Sequence, residues 1–234
     1  MHKINNNVSI LYEDNHIIVV NKPAGILSQK DKTNDDSIIE ILKNYIKTKY
    51  NKPGNVFLGS VHRLDRPTSG VMVFARTSKA LTRLTVSMKA KEFNKKYYAI
   101  IEGVMKKKSG KLQHFLVKDN KLNVVTAFKN KINGGKKAEL EFYLLGVIDN
   151  LSLVDIRLIT GRSHQIRAQF SNEFYPVVGD FKYGSNLKIQ DRSICLHSYS
   201  LSFVHPVKKE LMNFISPPDY NKCFWKKWAK YLRH

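Results

Sequence analysis

Apolar residues in this chain come in short runs, cut by Gly, Pro, Asn and Asp, and the runs switch between two periods along the sequence. Residues 10–12 and 17–20 are β-rich and are joined by the turn-forming Glu13-Asp14-Asn15-His16. Asn21-Lys22-Pro23-Ala24-Gly25 then ends the strand, because Pro gives up a ladder donor and Gly permits a positive φ. Ser37 and Glu40 have capping-box spacing, and Ile38, Ile41, Leu42, Tyr45 and Ile46 follow at helical period. Residues 71–75 read as a strand, and Thr77 caps a helix with a Leu81, Leu84, Met88 stripe. Further strands are predicted over 93–101, 112–117, 122–128, 138–145, 151–159 and 194–204. A short helix is expected over 163–172, and an amphipathic tail helix over 217–234, its aromatic stripe docked on the core. This alternation specifies an α+β chain with hairpin-connected strands. No internal repeat, low-complexity tract or long linker divides it, so the sequence reads as one domain over 1–234.

Charge narrows the class of partner. Forty Lys and Arg stand against 19 Asp and Glu, a net charge of +21. Such an excess suits a polyanion, of which nucleic acid is the commonest. The two cysteines, Cys195 and Cys223, are isolated, which argues against a disulfide framework and a Cys-based zinc site and fits a reducing cytoplasm. No HExxH or other metal spacing occurs, and no glycine-rich phosphate loop. The first residues lack the apolar core of a signal peptide, and no apolar run approaches the ~18 residues of a membrane span, so a soluble cytoplasmic protein is expected.

Three segments carry candidate chemistry. In Val61-His62-Arg63-Leu64-Asp65-Arg66-Pro67-Thr68-Ser69-Gly70 an acid lies between two arginines and ahead of a turn. If the segment is extended, Arg63 and Asp65 share one side and Leu64 takes the other. An ionised, positioned carboxylate can act as a nucleophile or stabilise a cationic sugar. Spacing alone leaves open a surface ion pair before a turn. Thr160-Gly161-Arg162-Ser163-His164-Gln165-Ile166-Arg167 is a glycine turn entering a helix, a place where free N–H groups and Arg162 could meet an anion, or where Arg162 could pair with Asp65. An ordinary capped helix with solvated arginines is the competing reading. In Lys95-Lys96-Tyr97-Tyr98-Ala99 the two tyrosines face opposite sides of a strand, so at most one lines a given site.

In order along the chain, these segments resemble the RluA-type family of pseudouridine synthases. Asn21-Lys22-Pro23-Ala24-Gly25 is similar to the family's N-terminal signature, and His62-Arg63-Leu64-Asp65 with Thr68-Ser69-Gly70 to its catalytic motif, the most specific match. Tyr97-Tyr98-Ala99 with Gly103 resembles its tyrosine motif, and 160–167 its arginine motif. Pro176, Gly179-Asp180, Tyr183-Gly184, Leu196-His197 and His205-Pro206 resemble its C-terminal landmarks. Gln169 departs from the His of many relatives, and Ser198 from their Ala.

The resemblance implies the pseudouridine synthase fold: a central, mainly antiparallel mixed sheet with flanking helices and an RNA-binding cleft. It implies Asp65, Tyr97 and Arg162 as catalytic residues, and Arg63, His62, Arg66, Ile166 and Arg167 as substrate-binding residues. Arg63 would fill the space of a flipped nucleotide, Tyr97 would lie beside the base, and Arg162 would pair with Asp65. The implied substrate is a uridine in structured RNA, ribosomal or transfer. No cofactor or metal is expected, and the default state is a monomer. Many relatives carry a small RNA-binding domain ahead of the catalytic one. With about eight residues before the first predicted strand, RNA is expected to be gripped by the basic surface of the catalytic domain itself. Two alternatives stand beside the enzyme: a non-catalytic RNA-binding or ribosome-assembly factor on the same fold, and a metal-dependent nuclease, for which clustered carboxylates are wanting.

Overall fold

The computed structural model describes residues 2–4, 7–30, 35–189, 191 and 193–232. The chain falls into two compact units, one of residues 1–94 and 199–216, the other of 95–198 and 217–234.

In the first unit β1 (His2–Ile4) pairs with β2 (Val8–Glu13), β2 with β3 (Ile17–Lys22), and β3 with β5 (Ser69–Ala75). All of these ladders are antiparallel, as is the pairing of the two-residue β4 (Gly59–Ser60) with β5. β3 and β5 are buried on both faces because they lie inside the ladder and are rich in Val, Ile and Met. Asp14 makes the β2–β3 turn: its Oδ1 accepts the N–H groups of His16 and Ile17 at 2.8 and 2.9 Å. The helix α1 (Ile38–Lys49) starts where the capping pair predicts, with the Glu40 carboxylate accepting from the Ser37 hydroxyl at 3.2 Å. Glu13 anchors its other end to β2, accepting from Tyr45, Lys49 and Tyr50 at 2.7–3.0 Å. The helix α2 (Ser78–Lys89) is capped by Thr77, whose hydroxyl accepts the Ala80 N–H at 3.2 Å. Its Ala80 and Leu84 enter a core formed with Ile17, Val19, Val71, Val73, Phe93 and Phe203.

The second unit holds the ladder β6 (Asn94–Glu102), β10 (Leu151–Leu158), β9 (Lys136–Ile148), β7 (Ser109–Asp119), β8 (Val124–Phe128), in that order and antiparallel throughout. Asp149 and Asn150 connect β9 to β10 with φ of 50° and 59°, the primed two-residue turn that matches strand twist. The helix α3 (Gln165–Asn172) packs against β7 and β8. β11 (Leu196–Val204) begins in the second unit, ends in the first, and there pairs with β12 (Leu211–Ile215).

Two helix expectations are corrected. α3 begins two residues later than predicted, because His164 is left-handed with φ 48° and 160–164 forms a bonded loop instead of a helical turn. The tail helix is shorter: α4 spans Cys223–Trp228, followed by one 3₁₀ turn over Ala229–Tyr231. Pro217 and Pro218 hold the preceding stretch out of helix. The last two residues of the predicted helix, 233 and 234, lie outside the described set. Its aromatic stripe docks as expected, with Trp225, Trp228 and Leu232 buried. Among the described residues no helix is long and apolar enough to cross a membrane.

Candidate active site

The candidate residues divide between the units. His62, Arg63, Asp65 and Arg66 lie in the first, on the loop between β4 and β5. Tyr97, Arg162, Ile166 and Arg167 lie in the second.

The Asp65 loop is held by polar groups beneath it. The Ser28 hydroxyl takes both backbone groups of Leu64, donating to its carbonyl at 2.6 Å and accepting its N–H at 3.1 Å. This buries Leu64 and leaves Arg63 exposed and Asp65 half-buried. That is the alternation the sequence predicts. The loop then turns, with the Thr68 N–H bonded to the Asp65 carbonyl at 3.0 Å. The Gly25 N–H bonds the Arg66 carbonyl at 2.8 Å, and the Arg66 Nε returns a bond to the Gly25 carbonyl at 2.9 Å. Gly25 has φ 91°, a conformation that a side chain would strain. The rest of the Arg66 guanidinium pairs with Asp35 at 2.7 Å. His62 is half-buried, and its Nε2 accepts the Val73 N–H of β5 at 3.2 Å.

Lys22 is the residue the sequence reading undervalued. Its side chain is fully buried, and its ammonium reaches the carbonyls of Pro23, Ile26 and Arg66 at 3.0, 2.9 and 3.4 Å. It thereby ties the 21–25 segment to the Asp65 loop. Burial pulls its pKa down to about 7, with the Asp65 charge opposing the fall and Arg66 adding to it. An apolar β3 strand ending in Lys before Pro carries a signal for this: a cation placed where it must be buried needs acceptors nearby.

In the second unit Tyr97 and Tyr98 are both buried on β6, on opposite faces. Arg162 is exposed at the tip of the 160–164 loop, and its Nε donates to the Lys137 carbonyl of β9 at 3.1 Å. Gln165 organises this loop. Its buried Oε1 accepts from the Thr160 hydroxyl at 2.8 Å and the Arg162 N–H at 3.0 Å, while its Nε2 donates to the Glu139 carbonyl at 3.0 Å. The Arg162 amide, expected to be free for an anion, is therefore occupied. A Cβ at Gly161 would come 2.8 Å from the Lys95 Nζ, so the lysine end lies directly against this turn. Burial holds Lys95 below its usual range. Ile166 is buried on the first turn of α3.

Arg167, expected to bind substrate, is 5% exposed and forms a bidentate pair with Asp180 at 2.6 and 2.9 Å, stacked 4.7 Å over the Tyr183 ring. In this structure its Nε and Nη2 therefore brace the turn that carries Asp180. His164 also braces the fold: its Nδ1 lies 2.7 Å from the Tyr183 hydroxyl, which accepts the Val125 N–H at 2.9 Å.

The family model for RNA pseudouridylate synthases matches residues 16–172, which include every one of these loops. The chain belongs to the RNA pseudouridylate synthase family. An uncharacterized RNA pseudouridine synthase of Bacillus subtilis is 34% identical over 209 residues, covering 88% of this chain and 67% of that protein. The ribosomal large subunit pseudouridine synthase D of Borreliella burgdorferi is 34% identical over 214 residues, 89% of this chain and 64% of its own length. The dual-specificity RNA pseudouridine synthase RluA of Haemophilus influenzae is 31% identical over 221 residues, 91% of this chain and 94% of its own. The chain thus spans about two thirds of the length of the first two relatives and nearly all of the third. Among solved structures, the human RNA pseudouridylate synthase domain containing 4 superposes with a TM-score of 0.76 at 23% identity, covering 96% of this chain and 93% of that one. This likeness establishes the pseudouridine synthase fold, and the α+β reading with it.

Proposed function

We propose that this protein isomerises uridine to pseudouridine in structured RNA, ribosomal or transfer, with Asp65 as the reacting carboxylate. The observation that carries the reading is the Asp65 loop itself. A half-buried acid stands on a turn fixed through its neighbours by Ser28, Gly25 and Lys22, the preorganisation that a reacting carboxylate requires. The family match spans both units, which supports residues 1–234 working as one catalytic domain.

The reaction breaks the bond from uracil N1 to the sugar C1′, turns the base, and joins C5 to C1′. The C5 proton leaves and N1 gains one, so nothing is oxidised or reduced. The target base must first leave the stack, at a cost of a few kcal/mol, which favours loops. Exposed Arg63 is suited to fill the gap. Asp65 assists departure of the base as nucleophile or as base toward the sugar. Tyr97 stacks on the uracil and assists loss of the C5 proton. By the family resemblance Arg162 is the residue that orients Asp65, and Ile166 the one that supplies an apolar wall. His62 and Arg66 serve by holding the Asp65 loop in place. A monomeric state and a cytoplasmic location go with this reading, testable by size-exclusion chromatography and cell fractionation.

Tritium release from unmodified ribosomal and transfer RNA labelled at uridine C5 tests it. The native protein should release tritium, and Asp65→Asn should bind RNA without releasing any. Release that survives in Asp65→Asn refutes the role of Asp65. RNA binding without release by the native protein favours the non-catalytic RNA-binding factor.

A further inference from the structure

Phe174 follows α3 and is 90% exposed, the most exposed large apolar side chain among the described residues. Its backbone is left-handed, with φ 64°. The surrounding bonds explain why: the Tyr175 N–H reaches back to the Phe170 carbonyl at 2.9 Å, and the Phe174 N–H to the Ser171 carbonyl at 3.0 Å. This closes the helix with a residue at the position glycine fills at least cost. Phe174 therefore adds nothing to the core and occupies a conformation that its Cβ disfavours. Neither packing nor capping accounts for a phenyl ring there.

Its neighbours give it a partner. Glu173 accepts from the His114 ring at 3.1 Å and pairs with Lys129 at 3.7 Å, and the Asn172 side chain bonds the Ala127 carbonyl at 3.0 Å. These bonds set residues 172 and 173, and with them the backbone that carries Phe174, beside the end of β8 and Lys129, in a strongly basic stretch of sequence. Residues 106–137 carry ten lysines and one aspartate, nine of the twenty-one net positive charges of the chain. An exposed aromatic face beside lysines fits single-stranded nucleic acid, whose bases stack while its phosphates are neutralised. α3 has eight residues, so its two ends are about 12 Å apart and the ring stands roughly that far along the helix from the Arg162 loop.

We propose that Phe174 is a stacking platform for an unpaired base of the RNA substrate, flanked by phosphate contacts from the lysines of 106–137. The proposal rests on RNA being the substrate and adds a contact outside the reacting site.

The test measures binding of fluorescent oligouridine, together with melting temperature, for the native protein, Phe174→Gly and Phe174→Tyr. Phe174→Gly should melt at or above the native temperature, because glycine relieves the left-handed residue. It should bind at least about fivefold more weakly, the low end of a lost base–aromatic stack. Phe174→Tyr should bind as the native protein does. Equal binding by Phe174→Gly overturns the proposal while leaving the isomerase reading intact. A lower melting temperature for that variant shows that the ring supports the fold and also overturns it. A native protein that ignores both oligouridine and structured RNA overturns this proposal and the proposed function together.

Discussion

Lys22→Met isolates the buried cation under the Asp65 loop. In the native protein Lys22 titrates at about 7, whereas an unfolded lysine titrates near 10.5. Between those values the unfolded chain binds a proton that the folded chain does not, so stability rises with pH across the window and is lost as pH falls toward 7. The full span of about 3.5 pH units corresponds to an upper bound of about 5 kcal/mol. Methionine has similar length and does not titrate, and the other groups are common to both proteins. The native protein should therefore gain about 2 kcal/mol on Lys22→Met between pH 7.5 and 9.0, and almost nothing between pH 5.5 and 6.5. At pH 9.0 the variant should be the less stable one, because the carbonyls of Pro23, Ile26 and Arg66 lose their donor, at about 1–3 kcal/mol for each buried group left unsatisfied. Urea unfolding followed by circular dichroism at these pH values gives the difference. The same measurement on Asp65→Asn should place the window at lower pH, since Asp65 is the charge that opposes the fall. Parallel stability profiles for native protein and Lys22→Met from pH 7.5 to 9.0 would show that Lys22 stays charged, its carbonyl cage outweighing burial, and would refute the reasoning.

Two further outcomes follow from other buried groups. His205 is buried, its Nδ1 accepts the N–H groups of Val207 and Lys208, and its Nε2 faces Asp14 at 3.0 Å. Burial lowers its pKa against the pull of Asp14, so stability should decline as pH falls below about 6.5, the unfolded value, and His205→Gln should flatten that decline in acid titrations. Gln165→Leu removes the acceptor of the Arg162 amide. It should lower kcat about tenfold or more in the tritium assay, with RNA affinity changed far less, because the loop shifts while the binding surface stays.

Much of the fold was readable because β2, β3, α1 and α2 have local causes. The Asp14 turn, the Ser37–Glu40 pair and the Thr77 cap each involve residues within a few positions, and sequence shows such pairs directly. β4 was not readable, since two residues carry no period. β12 was missed because Leu211, Met212, Phe214 and Ile215 put apolar residues on both faces, although only Phe214 is buried. At the site, motif resemblance is what singles out Asp65, Tyr97 and Arg162 as candidates. The ion pair of Arg167 was not legible, because its partner Asp180 lies thirteen residues away and a spacing cannot report which acid an arginine meets. Lys22 was seen as part of a signature, but its third acceptor is 44 residues distant.

A single physical device recurs in both units. Each candidate loop carries backbone groups that its irregular path leaves without helix or strand partners, and a buried polar side chain supplies them. Ser28 satisfies both groups of Leu64, and Lys22 satisfies three carbonyls around the Asp65 turn. Gln165 uses both ends of its amide on Glu139, Thr160 and Arg162. A loop held by apolar packing alone would bury those groups unpaired, at about 1–3 kcal/mol each, or open to let water reach them. Water would compete for the groups that hold Asp65 and loosen its aim. The polar anchors therefore do what a hydrophobic floor cannot: they hold an irregular loop in place while pairing its backbone groups. For that reason substitutions at Lys22, Ser28 and Gln165 should disturb the chemistry without any of the three touching the base.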